Sequence, residues 1–184
     1  DDPQNIALVS DPLSNVEPRP SDWINKDFFK VEKIKSISVS GTNQAANWTL
    51  LRESESGDWK LAEPGPEEEL DSSKVSSANY LLSSPYFNDI VVNPDPAELG
   101  LTEPRLATIK TFDDFTYTIK LGTPLADDNY PLQVAVAADI PEARTPAEDE
   151  KEEDKERLDT EFKEKTDKLK EKLETEQKFA GWTY

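Results

Sequence analysis

The 184-residue sequence has no histidine, no cysteine and no methionine, and only six glycines. Without cysteine there is neither a disulfide staple nor a thiol nucleophile. Without histidine the commonest general base and the commonest transition-metal ligand are missing, which sets zinc, copper and haem sites aside. The glycines are scattered, so no glycine-rich loop is present to cradle a phosphate. No run approaches the ~20 apolar residues of a membrane span, and no signal peptide is recognisable. The chain opens on Asp1-Asp2-Pro3 instead of methionine. The expectation is a fragment or processed product whose parent carries any anchor elsewhere.

Negative charge is abundant. There are 39 Asp and Glu against 21 Lys and Arg, a net charge of −18. Such a field repels nucleic acid and anionic membrane surfaces, so no nucleic-acid partner is expected. Apolar content is 35% and charged content 33%. The excess charge is concentrated at about 148–178, and the remainder has an ordinary globular composition. The length suits one domain with a sizeable core.

The stretch 47–64 organises the chain. Two short strands, opened by Trp48 and Trp59, flank a polar turn containing Gly57, which is a hairpin pattern. Trp48, Leu50, Trp59 and Leu61 give it one apolar face, expected to seed the core. Residues 1–20 read as an N-terminal strand (5–10) and a proline-rich linker. A helical turn over 21–29, capped by Ser21 or Asp22, docks Trp23, Phe28 and Phe29. A strand follows at 31–41, with Ile37 and Val39 on one side and Ser36, Ser38 and Ser40 on the other.

Beyond the hairpin, Asp71 caps a helix over 71–84 with Val75, Ala78, Leu81 and Leu82 on one face; Pro85 ends it. Ile90, Val91 and Val92 make a brief strand. A helical turn over 97–101 closes on Gly100 in a left-handed conformation. Strands at 106–112 and 115–121 flank Asp113-Asp114. In the second, Phe115, Tyr117, Ile119 and Leu121 alternate strictly with polar residues. Another strand at 130–138 points Leu132, Val134 and Val136 inward.

Residues 147–179 read as one charged helix roughly 50 Å long. Glu161 with Lys165, Glu164 with Lys168 and Glu174 with Lys178 are spaced to pair. Its apolar residues Leu158, Phe162, Leu169 and Leu173 fall within a stripe of roughly 60° at 100° per residue. That thin seam can lie on the domain or on a partner, and it is the candidate partner-contact surface. Lys165 and Lys172 interrupt its heptads. Gly181-Trp182-Thr183-Tyr184 resumes a strand. The expected fold is α+β: a mostly antiparallel sheet of about seven or eight strands, one packed helix, and a long, charged, projecting helix near the C-terminus. Residues 21–184 form the domain, with the helix inserted at about 147–179.

Several marks stand in a fixed order: Trp59-Lys60-Leu61 with Pro64, Leu99-Gly100-Leu101 with Pro104, Leu121-Gly122, Tyr130, and Gly181-Trp182-Thr183-Tyr184. In order and spacing the chain from roughly residue 23 to 184 resembles the domain of unknown function 4340 family of bacterial proteins. The charged helix departs from that pattern as an insertion. The resemblance implies a soluble module outside the cytoplasm, in a membrane-anchored parent, beside ABC transporter components of the gliding-motility type, with residues 1–20 as the tail of a preceding module. It carries over no catalytic residue.

The residues themselves offer weaker alternatives. Asp113-Asp114 and Asp127-Asp128-Asn129 supply hard oxygen ligands for Ca²⁺, but Asp equally suits solvated turns and the EF-hand spacing is absent. With 39 acids some pair meets glycosidase spacing by chance. Serine nucleophiles lack a histidine base. Trp23, Trp48, Trp59 and Trp182 either line a sugar platform or fill the core. The resemblance, together with the missing catalytic residue types, implies a non-catalytic accessory or interaction module with a protein partner, such as transporter subunits, and no cofactor or metal. A carbohydrate- or peptide-binding module is the alternative, and a carboxylate-based hydrolase a distant third.

Overall fold

A tight turn around Asp113 and Asp114 joins the two most regular strands, and the sheet extends outward from them. Asp114 takes the left-handed conformation at φ 59°, a region Asp tolerates better than most residues. In the computed structural model, which describes residues 23–66, 68–125, 128–147 and 149–184, the strands are β1 (Ile34–Ser40), β2 (Trp48–Leu51), β3 (Lys60–Leu61), β4 (Arg105–Thr111), β5 (Phe115–Leu121) and β6 (Leu132–Ala138). They form one six-stranded sheet in the order β3-β2-β1-β4-β5-β6, with every neighbouring pair antiparallel. The helices are α1 (Ser72–Val75), continued by a 3-10 helix over Ser76–Tyr80, and α2 (Glu152–Gln177). The fold is α+β, with the long charged helix near the C-terminus.

The alternation read in β5 becomes burial. Phe115, Tyr117 and Ile119 join Ile34 and Ile37 of β1, Ile109 of β4, and Val134 and Val136 of β6 in one core, with Phe29 and Val31 added from the lead-in segment. Cross-strand neighbours Ile37, Ile109, Tyr117 and Val136 stack across four strands on this face. The core thus centres on β1, β4 and β5. The Trp48–Trp59 hairpin, expected to seed it, contributes Leu50 and Trp59 to that core, with Leu61 packed against it, but from the sheet edge. β3 has only two residues and one neighbour, and a strand that short contributes little area of its own.

Several expected elements differ. Trp23 is 67% exposed and no helix forms after it. Asn25 instead accepts the Asp27 N–H (2.9 Å) in a side-chain turn, and only Phe28 and Phe29 reach the core. The expected cap at Ser21 or Asp22 and the strand at 5–10 lie outside the described residues. Asp71 does cap α1, accepting the N–H groups of Ser73 and Lys74 at 3.0 and 3.3 Å. The Ser73 hydroxyl and these amides hold its carboxyl below the usual range. Yet only Ser72–Val75 is α-helical. The Ser76 and Ser77 hydroxyls bond back to the carbonyls of Ser73 and Lys74, competing with the helical ladder. Leu81, expected on the inward face, is exposed.

The described residues form six strands, not seven or eight. Val91 donates a single hydrogen bond to the Thr183 carbonyl (2.8 Å), and Tyr184 exchanges two with Leu132 (2.9 Å each). The C-terminal residues therefore bridge the start of β6 without making a ladder. The turn before β4 closes as expected, with Leu101 bonded to the Pro96 carbonyl (2.7 Å) and Gly100 at φ +67°. Gly122 packs against that turn: a Cβ there would lie 2.0 Å from the Leu99 carbonyl oxygen. Two of the spaced glycine marks are thus one contact. Gly122→Ala is expected to destabilise the domain by about 2 kcal/mol, because backbone must move. Urea unfolding checks this, and a wild-type midpoint would refute the close approach.

Candidate functional site

The apolar residues of the hairpin and of the segment around α1 do not close completely. Between them lies a groove of about 320 Å³, walled by Ile37, Trp48, Leu50, Leu61, Leu70, Val75, Ala78 and Leu81 and rimmed by Asp71, Lys74 and Ser77. The geometry follows from strand parity. Trp48 and Leu50 point to the same face of β2, where Leu50 is covered and Trp48, at the strand start, is left 41% exposed. The poor helix at 72–80 leaves Leu81 exposed on the other bank.

Arg52 is the residue that sequence reasoning missed. It continues the inward parity of Trp48 and Leu50, which was the available signal. Its side chain is only 8% exposed. Nε donates to the Ile34 carbonyl (2.6 Å); Nη1 donates to the Glu55 carbonyl (2.5 Å) and to Asn79 Oδ1 (3.0 Å). Trp59 Nε1 donates to the same Asn79 oxygen (3.1 Å). The guanidinium lies 4.8 Å from the Trp59 ring centroid and 5.7 Å from that of Phe112, within cation–π range. A second cavity of about 410 Å³ opens beside it, lined by Arg52, Glu55, Asp58, Trp59, Leu70, Val75 and others. Leu70 and Val75 line both cavities, so the two share a wall.

The four tryptophans divide. Trp59 is buried, whereas Trp23, Trp48 and Trp182 are exposed. Trp48 sits on β2 and Trp182 beside the outer edge of β6. Four strand spacings of ~4.8 Å separate β2 from β6, so these two rings belong to no common platform.

The seam on α2 is also divided. Leu169 and Leu173 pack against the protein's own core, with Phe179 beyond them; Leu158 and Phe162 are half-buried. At 100° per residue Glu176 points in the same direction as Leu158, and it is 5% exposed. Its carboxylate accepts the Tyr117 hydroxyl (2.6 Å) and the Lys30 N–H (3.0 Å). Burial, reinforced by the adjacent carboxylate, pushes the Tyr117 phenol well up. Lys165, expected to pair along the helix, lies 3.9 Å from Asp113. At the other end Arg144 binds Glu150 and Asp159, holding the lead-in of the helix to its second turn.

The acidic clusters serve turns. Asp113 pairs with Lys33 at 2.9 Å, and that hydrogen bond raises the Lys33 pKa. Asp128 has a left-handed backbone at φ 57°, and Asn129 Oδ1 accepts from Asn88 (2.8 Å); Asp127 lies outside the described residues. Among the described residues no three such side chains converge on one point, and no helix is long and apolar enough to cross a membrane. Comparison of the chain with family models, with curated proteins and with solved structures finds no match in any of the three.

Proposed function

We propose that the chain is a non-catalytic interaction module that takes an apolar segment of a protein partner in the groove between the hairpin and the 72–81 segment. The observation that carries this reading is the pairing of exposed Trp48 and Leu81 across a preformed apolar cavity. Aromatic and aliphatic anchors in such grooves supply most of the energy of peptide recognition. The polar groups Asp71, Lys74 and Ser77 stand on the rim, while the wall is Trp48 with seven aliphatic side chains, so an apolar peptide segment fits better than a carbohydrate. The resemblance of the spaced marks supports the wider setting: a domain outside the cytoplasm, in a membrane-anchored parent, serving an ABC-type transport system. Leu158 and Phe162 on α2 are the second candidate contact.

Photocrosslinking tests this in the full-length protein in cells. A benzophenone side chain replaces Trp48 in one variant, Phe162 in a second and Trp182 in a third. The expected result is a crosslink from position 48 to a transporter subunit that position 182 does not give. Crosslinks only to the protein itself, or none, overturn the reading; a product from position 162 alone moves the contact to the helix.

A further inference from the structure

We infer that Arg52 anchors a carboxylate, carried by an apolar peptide segment whose body lies in the adjoining groove. A guanidinium has five N–H donors. Three are used, all on Nε and Nη1, and all go to neutral oxygens. The two on Nη2 have no partner among the described residues. No buried side-chain nitrogen or oxygen there lacks a partner, so Nη2 is open to solvent, and Arg52 lines the open cavity. Arg52 also forms no ion pair among the described residues, although the chain carries a net charge of −18.

A nearly buried cation with two unpaired N–H groups beside a cavity is matched by an anion, and hydrogen bonds to a charged partner in such a place are the strong ones. The surroundings choose the kind of anion. Glu55 and Asp58 also line the cavity and disfavour a dianion such as phosphate. Trp59 adds an apolar face to the cavity, and Leu70 and Val75 wall both it and the groove, which suits a singly charged group on an apolar body. For that body the inference rests on the groove reading above; for the charge it rests on Arg52 alone.

The test is a titration of the ¹⁵N-labelled chain, followed at the Arg52 Nε–H and Trp59 indole N–H signals. The probes are acetyl-Leu-Val-Phe with a free C-terminus, its C-terminal amide, acetyl-Leu-Val-Phe-Glu amide, and inorganic phosphate. The expected result is saturable shifts with the free acid or the glutamyl amide, at least about tenfold tighter than with the neutral amide. Which of the two acids binds better tells a chain end from a side chain. Equal binding of the neutral amide overturns the anchor and leaves the groove standing. Shifts with phosphate alone, or with no probe, overturn it as well. Carboxylate shifts without a crosslink at position 48 uphold the anchor and remove the partner-protein reading. The comparison varies the probe, not the protein, because Arg52→Gln also removes bonds that close the hairpin.

Discussion

Replacing Glu176 by alanine is expected to lower the stability of the domain by about 3 kcal/mol. Glu176 is the one acid of α2 whose carboxylate reaches under the helix into the core. It receives Tyr117 Oη at 2.6 Å and the Lys30 N–H at 3.0 Å, with Lys172 Nζ 4.0 Å away. Alanine leaves the part-buried Lys30 N–H without its acceptor. The Tyr117 hydroxyl retains a fallback, the Lys30 carbonyl 3.2 Å away. Glu176→Gln keeps one acceptor oxygen and is expected to cost about 1 kcal/mol. A double-mutant cycle with Tyr117→Phe in urea isolates the pair and is expected to give a coupling of about 1–2 kcal/mol. A Glu176→Ala midpoint indistinguishable from wild type would show that the helix end is not held this way.

The same pair has a pH signature. Burial raises the folded-state pKa of Tyr117 above its ordinary value of 10.0. The unfolded chain then loses the phenolic proton first. This contribution to stability is full below pH 10.0 and falls as pH rises beyond it. Tyr117→Phe removes that part of the alkaline loss, so the difference in stability between the two proteins should narrow with increasing pH above 10. A difference that stays constant across that window contradicts the burial of the phenol.

Phe28→Ala is expected to cost about 3 kcal/mol, a large effect for a side chain that is only half-buried. Phe28 meets Phe29, Phe87, Phe179 and Tyr184 with ring centroids 4.5, 5.1, 5.2 and 4.7 Å away. These rings come from the lead-in to β1, the segment after the 3-10 helix, the end of α2 and the last residue. One ring therefore ties together four parts of the chain that form no ladder with one another. Amide exchange should quicken at 179–184 and around Phe87 while β4 and β5 stay protected. A loss below about 1 kcal/mol, or uniform acceleration, would mean that the cluster is incidental.

The strands β4, β5 and β6 were legible because their signal is local. Alternation with period two at 115–121 and 130–138 already states which side chains share a face, and the Asp113-Asp114 turn sets their register. The charged helix was legible from composition alone. The seam Leu158, Phe162, Leu169 and Leu173 was legible as a stripe, though not its division into residues that pack at home and residues left half-covered. Apolar spacing suggests a helix over 71–84, while serine hydroxyls bonding to nearby carbonyls shorten it.

What no local pattern distinguishes is which of several similar residues is buried. Trp48 and Trp59 both stand at the start of a short hairpin strand. Trp59 is sealed by Arg52 and Asn79, and Trp48 is left open where α1 fails to cover it. Glu176 is one of 39 acids, and its partner Tyr117 is 59 positions away. Alternation, helical phase and charge were determined by the sequence itself, through interactions a few residues long. The open groove, the half-used guanidinium of Arg52 and the buried Glu176 were decided by tertiary packing, because each depends on contacts between segments whose separation along the chain says nothing of their distance in space.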